Sequence, residues 1–414
     1  MDFEYTPRVE ALRHQLTQFM DRYVVPAMAD WSREVAAGNP HPALMEDLKT
    51  LAREEGLWTL FLPGLKPDEP GQRLTNLEYA PLAEIMGRVS WASEIFNCGA
   101  PDTGNMEILH LFATAQQRQD WLQPLLEGSI RSCFAMTEPD VASSDATNIQ
   151  TVIRRDGDDY VINGRKWFIS GAAHPLCRLA IVMGVTDPDG ERHQRQSMVI
   201  VPMDTPGLTV ERNISVMHHH SPEGHCEIVL RQVRVPARNL IAQEGAGFAI
   251  AQARLGPGRI HHCMRSIGQC ELALQLMCER AAERKAFGRH LHQHANVADG
   301  IARSRIEIDQ ARLLVLKTAW MIDRVGAKGA AKEIAMIKAL VPSVHTAVCD
   351  RAMQVFGAMG LSPDTPLAAL WTFGRVLRIA DGPDEVHLRS VARQEMTAAL
   401  ARRGESVPFL APGR

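Results

Sequence analysis

The chain has 414 residues, 45% of them hydrophobic, which is enough for two or three domains with cores of their own. A net charge of -3 supplies no general attraction to nucleic acid or to an anionic membrane. The eight cysteines, at 98, 133, 177, 226, 263, 270, 278 and 349, form no C-x-x-C pair, which argues for reduced thiols in a cytoplasmic protein and against a disulfide framework or zinc knuckle.

The opening residues lack the basic and apolar regions of a signal peptide, and no apolar run is long enough to span a bilayer, so no stable membrane insertion is expected. From Thr6 to about Glu127 the pattern is helical. Val9, Leu12, Leu16, Phe19, Met20 and Tyr23 share one face, and Leu44, Leu48, Leu51 and Ala52 another. Pro26, Pro42, Pro63-Gly64 and Pro101 read as breaks, and Gln116 to Glu127 as a short helix ending at Gly128. An all-α N-terminal domain is expected over residues 1–130.

From about Ser132 to Leu240 the period drops to two. Thr151–Arg155 and Tyr160–Ile169 read as strands with Asn163-Gly164 as a turn. Further strands are expected at Leu179–Val185, Ser197–Pro202, Leu208–Glu211 and Cys226–Pro236. These make a middle β domain, barrel or sandwich, over 131–243. From Gly247 the helical period returns. Ile334, Ile337, Val341, Val344, Val348, Ala352 and Val355 keep i, i+3/i+4 spacing, with Pro342 as a kink or boundary. Long helices with short breaks predict an antiparallel four-helix bundle over 244–414. The predicted class is α+β, multidomain.

Within the bundle, Ala368 to Arg378 reads as a helix that Asp381-Gly382-Pro383 breaks. Asp384-Glu385 opens the next helix, where carboxylates suit the positive end. Asp381 is thus presented on backbone fixed by Gly and Pro, as a general base must be; the bland alternative is an Asp in an ordinary interhelical turn. The segment Phe134 to Asp145 is a turn-rich loop dense in hydroxyls and backbone donors, able to hold a flavin edge or a phosphate, although such loops are usually only turns. His218-His219-His220 with His225 invites a metal, but no second cluster with ligand spacing accompanies it, and none is expected. His261-His262 and His290, His292 and His294 read as surface or substrate-rim residues.

Four segments in this order resemble the acyl-CoA dehydrogenase family over nearly the whole chain. They are Thr137-Glu138-Pro139 with Ser144-Asp145, Asn163 to Ser170, Glu283-Arg284-Lys285-Ala286-Phe287-Gly288, and Gln354-Val355-Phe356-Gly357 with Gly360. The ending Ala380-Asp381-Gly382-Pro383-Asp384-Glu385-Val386-His387 looks like the branch containing acyl-CoA dehydrogenases 10 and 11. The resemblance implies FAD-dependent dehydrogenation of an acyl-CoA thioester to the trans-2-enoyl-CoA, as in fatty acid β-oxidation. It further implies electrons passed to an electron-transfer flavoprotein, and a homodimer or homotetramer. Asp381 occupies the base position that Glu usually fills; an alternative family base is absent, because Gly258 stands there. Arg259, with Ser144 and Ala380, falls to substrate binding. By the same resemblance Phe168 lies against the isoalloxazine, Ser170 near its N5, and Phe134, Met136 and Thr137 along its edge, with Ser144 beside FAD and CoA. Arg284, Phe287 and Gln354 match residues that complete a neighbouring subunit's FAD site, and Gly357 is a further cofactor-binding position. Pro383 and Glu385 depart from the Thr and Gln that touch the adenine end. Ala380 replaces a large aromatic common in straight-chain members, which implies a long, branched or substituted acyl chain. Two alternatives remain: a flavin oxidase or monooxygenase of the same fold, like nitroalkane or acyl-CoA oxidases, and a bundle protein that lost its flavin. Retention of Phe168, Ser170, Arg284 and Asp381 argues against the latter.

Overall fold

A computed structural model describes residues 4–219 and 221–402, so His220 of the histidine run lies outside the described residues. The N-terminal part is helical: α1 (Pro7–Phe19), α2 (Val25–Ala36), α3 (Leu44–Glu54), α4 (Asn76–Gly87), α5 (Ala92–Ile95), α6 (Asp102–Phe112), α7 (Ala115–Gln117) and α8 (Gln123–Glu127). Thr6 caps α1 by accepting from the Val9 N–H at 3.3 Å, and Gly128 ends α8 in the left-handed conformation.

Pro26 does not break the chain, contrary to the sequence reading. A π turn at Met20–Val24 joins α1 to α2, with the Val25 N–H donating to the Met20 carbonyl. Proline lacks an N–H and crowds the preceding turn, and a wider turn just ahead of it absorbs the misfit.

Seven strands follow: β1 (Arg131–Ala135), β2 (Val152–Asp156), β3 (Asp159–Ser170), β4 (Cys177–Val185), β5 (Gln196–Pro202), β6 (Leu208–Asn213) and β7 (His225–Pro236). They form one curled sheet in the order β1-β4-β2-β3-β7-β6, with β5 on β4. Only the β4 pairings with β1 and β2 are parallel. Asn163-Gly164 is not the hairpin turn. The chain reverses at Gly157, with Asp156 paired to Asp159, and Asn163-Gly164 sits inside β3 where the register to β7 shifts. Asn163 Oδ1 accepts from the Gln232 N–H at 2.8 Å, and a Cβ at Gly164 would collide with the Thr151 side chain. The dipeptide's turn chemistry serves a bulge here.

The C-terminal part opens with the 37-residue α9 (Gly247–Glu283). A small hairpin, β8 (Lys285–Ala286) and β9 (Arg289–His290), precedes α10 (Ala295–Gly329), α11 (Ala331–Phe356), α12 (Leu367–Leu377) and α13 (Asp384–Ala401). Pro342 is buried within α11 and does not end it. One apolar core runs through both helical parts, from Leu16, Phe19 and Tyr79 to Ile260, Ile267 and Ile337; the sheet has its own around Ile153, Tyr160, Ile162 and Val233. Helices α4 and α9 cross backbone to backbone. A Cβ on Gly268 would overlap the Glu84 carbonyl, and one on Gly87 the Arg265 carbonyl. Among the described residues, no helix is long and apolar enough to cross a membrane.

Candidate active site

Asp381 sits in the short break between α12 and α13 with a φ of 56°, and Gly382 follows at 103°. Asp is one of the few side chains that enters the left-handed region readily. Arg259 Nε donates to the Asp381 carbonyl at 2.9 Å. Lys338, fully buried on α11, donates to the carbonyls of Leu377 and Gly382 and so ties the helix end to the loop. On the far side Arg378 Nε bonds Asp384 Oδ2 at 2.7 Å, which commits Asp384 elsewhere. The Asp381 carboxylate is 21% exposed, with His262 Nε2 3.5 Å from its Oδ2. Burial would raise its pKa, but His262, Arg254, Arg259 and Lys338 outweigh burial and hold it below the usual Asp value. The group is an ionised carboxylate amid basic side chains.

Arg254 was not singled out from sequence. Of His261-His262, read as surface or substrate-rim residues, His261 is corrected to a core residue, while His262 stands partly exposed beside Asp381. His261 is 1% exposed, its ring edge-on to Phe61 and Tyr79, and His262 faces Asp381. A usable signal existed: His262 follows Arg259 by three residues, which places both on one face of a helix. Arg254 lies over the Phe134 ring at 4.0 Å while also acting on Asp381, so it joins the base to the loop that opens the sheet. Beside it on α6, Glu107 is buried and raised to about 8, because burial is opposed only by Arg254.

The loop after β1 is anchored by Glu138. Its carboxylate accepts from the Gln150 N–H at 2.7 Å, the Thr151 N–H at 2.8 Å and Lys166 Nζ at 2.8 Å. Lys166, fully buried, also donates to the carbonyls of Met136 at 2.9 Å and Met183 at 2.7 Å. This clamp sets Phe134, Met136 and Thr137 against the end of β3. Thr137 Oγ1 donates to the Trp167 carbonyl at 2.5 Å, and the Trp167 N–H returns a bond to the Thr137 carbonyl at 3.1 Å. The β3 register shifts between Lys166 and Ile169, and within that shift Phe168 adopts a φ of 53°. Its ring, 4.9 Å from Trp167, is left 45% exposed. Ser170 Oγ lies 2.8 Å from His225 Nδ1. An open aromatic face, on the strand end that carries Ser170 and that Thr137 is bonded to, fits a flat heteroaromatic cofactor, which needs a stacking surface and polar partners nearby. Ser144 is exposed on the same loop, whose internal bonding falls to Ser143 through the Glu138 N–H. Ala380, partly buried, ends the last turn of α12 through its bond to the Val376 carbonyl.

Arg284, Phe287, Gln354 and Gly357 lie elsewhere. Arg284 caps the end of α9, Phe287 is 96% exposed with a φ of 51°, and Gln354 and Gly357 mark the end of α11. The two helix ends meet where Arg280 stacks on Phe356. Along α9, Arg284 is ~38 Å from Arg259 at the helical rise. The chain thus carries an exposed polar and aromatic group far from its own Asp381.

His218 and His219 are exposed, and His225 is engaged with Ser170. Among the described residues His41, Glu94 and His174 have metal-like spacing. Lys49 and Arg131 already occupy Glu94 Oε1, however, so the group is an ion network joining α3, α5, α6 and β1.

Three family descriptions match in sequence: acyl-CoA dehydrogenase N-terminal domain at residues 6–129, middle domain at 133–233 and C-terminal domain at 245–396. "Probable acyl-CoA dehydrogenase FadE2" of Mycobacterium tuberculosis is 57% identical over 96% of this chain and 97% of its own length. Acyl-CoA dehydrogenase family member 10 of Mus musculus is 53% identical over 97% of this chain, which spans only 38% of that longer protein. A solved structure from Mycobacterium abscessus, 48% identical, covers 96% of this chain and 100% of that one with a TM-score of 0.92.

Proposed function

The chain belongs to the acyl-CoA dehydrogenase family, and we propose that Asp381 is the base with which it desaturates an acyl-CoA carrying a long, branched or substituted chain. As an oxidoreductase acting on CH–CH bonds it uses FAD, which when bound accepts the hydride leaving the β carbon. The electrons pass on to an electron-transfer flavoprotein, and the working particle is a homodimer or homotetramer.

The chain's own task is the proton. An α proton is too weakly acidic for a carboxylate unless the thioester carbonyl is polarised by hydrogen bonds. By resemblance to the family, the N–H of Asp381 would supply one such donor, on the residue whose carbonyl Arg259 grips. The observation that carries this reading is the Asp381 carboxylate itself, ionised, on left-handed backbone, among Arg254, Arg259, Lys338 and His262. The small Ala380 and these polar neighbours support a bulky or substituted chain over a short alkyl one. Phe134, Met136, Thr137, Phe168 and Ser170 would hold the flavin ring, with Ser144 near CoA. Arg284, Phe287 and Gln354 would serve the neighbouring subunit, with Gly357 a further cofactor position.

The test is anaerobic bleaching of the flavin by a panel of acyl-CoA thioesters, followed by reoxidation with electron-transfer flavoprotein or with air. Bleaching by long or substituted chains and slow reoxidation in air are expected. A preference for butyryl-CoA would overturn the chain assignment, and rapid reoxidation by air would make the enzyme an oxidase.

A further inference from the structure

The tautomer of His262 is set by its neighbours. The Arg265 guanidinium, which can only donate, lies 3.1 Å from His262 Nδ1. Nδ1 is therefore an acceptor, and the ring proton resides on Nε2, the nitrogen 3.5 Å from Asp381 Oδ2. Burial first, then Arg265, pushes the imidazole down to about 3 while Asp381 opposes them, which agrees with a neutral ring that offers Asp381 an Nε2–H dipole and not a full charge. Arg259, His262 and Arg265 follow at intervals of three along one face of α9. The row cannot drift, because α9 meets the α4 backbone at Gly268 and beside Arg265.

We propose that His262 is a positioning residue for the dehydrogenation: its Nε2–H, 3.5 Å from one oxygen of Asp381, closes on that oxygen when substrate is bound, so that the other faces the α proton. The inference rests on the reading of Asp381 as the base. In the step, the α C–H bond breaks, its proton moves to the free Asp381 oxygen, and its electron pair stays on the substrate. It forms the new double bond as the hydride departs from the β carbon to FAD. His262 keeps its own proton throughout. An aspartate is one methylene shorter than a glutamate and has fewer rotamers with which to find the proton, so a fixed donor at its outer oxygen substitutes orientation for reach.

The groups facing Asp381 come from every element packed on it. Arg254, Arg259 and His262 lie on α9, Lys338 on α11 and His387 on α13, with Glu107 on α6 behind Arg254 and Asp384 of α13 turned away to Arg378. All but His262 are kept in the variants below, so a changed pH profile isolates its contribution.

His262→Phe removes the donor, His262→Gln restores an N–H near the place of Nε2, and His262→Asn keeps an amide too short to reach. Flavin reduction would be followed anaerobically against pH, and binding of a non-reducible acyl-CoA thioether separately by its effect on the flavin spectrum. In the Phe and Asn variants reduction should fall by up to ~10²-fold, with thioether affinity little changed. Their acid limb should move to higher pH, because the carboxylate has lost a bond that favours its charged form. The Gln variant should recover both rate and profile. Rates and profiles that superimpose on the parent in either the Phe or the Asn variant would overturn the proposal, and the Asn variant keeps the test open if Phe does not fold. Asp381→Asn separates the two readings. If that variant still reduces flavin at the parent rate, the base assignment fails; if it is inert while the His262 variants match the parent, only the role of His262 fails.

Discussion

Replacing Asp381 by Asn removes a charge and a proton acceptor and little else. The amide is nearly isosteric, and Asn tolerates the φ of 56° found at this position. The grip of Arg259 survives, because it holds the backbone carbonyl. FAD and acyl-CoA should still bind, while flavin reduction falls by ~10²–10⁴-fold, the usual loss for a missing general base. A second effect follows from the charge. Burial opposes ionisation of Asp381, but His262, Arg254, Arg259 and Lys338 hold its carboxyl below the ordinary value. A group depressed in the folded state contributes stability that is fully present above the unfolded value of ~3.9 and is lost as pH falls through the folded one. The Asn variant should therefore melt below the parent at neutral pH, and the two should converge in acid. Asp381→Ala should match Asn in catalysis but add ~1–2 kcal/mol of backbone strain, since alanine has no local polar group to favour the left-handed conformation. Stopped-flow reduction and thermal melts across pH measure both effects. Near-parent reduction by Asp381→Asn, with loss in Asp384→Asn or Glu385→Gln, would refute the base; equal stability at neutral pH would refute the electrostatic account.

Arg284→Ala should weaken FAD retention and the oligomer together, since a ligand that binds only the assembled form stabilises it by mass action; a stable flavin-loaded monomer in sedimentation would contradict this. Ala380→Phe should fill the space beside the base and shift kcat/KM toward shorter chains, by ~1–3 kcal/mol per methylene excluded, measured on an acyl-CoA series. Gly268→Ala should force α4 from α9, because the new methyl would meet the Glu84 backbone and not a flexible side chain. Overpacking of this kind typically costs ~1–3 kcal/mol, read as a lower denaturant midpoint, and an unchanged midpoint would show that α4 yields freely.

The helix–sheet–helix order was legible because each part keeps one hydrophobic period over many residues, as Ile334 to Val355 does on α11. The break at Asp381 was equally plain, since Gly382 and Pro383 act locally. The errors arose where a local signal was put to another use. Pro26 met a π turn that no residue preference announces, and Asn163-Gly164 became a bulge because Thr151 and Gln232 approach it from distant strands. The candidate site was nameable only in part. Motif residues such as Phe168 and Ser170 could be proposed from sequence, whereas His262, Arg254, Glu107 and Lys338 gain meaning only when α6, α9 and α11 converge on the α12–α13 break. A histidine pair in a helical stretch looks the same from sequence whether it faces water or a carboxylate.

Helix α9 carries Arg259 near its beginning and ends at Arg284. Under the proposed assembly these two ends serve different catalytic centres, one in each subunit. That has a genetic reading. An Asp381→Asn allele and an Arg284→Ala allele should each be severely impaired when expressed alone, because on this proposal every centre lacks either its base or its cofactor clamp. Coexpressed, they form mixed dimers in which one centre collects both defects and the other collects neither. The two alleles should therefore complement, restoring about one working centre per mixed dimer, whereas two alleles altered within the Asp381 cluster should not.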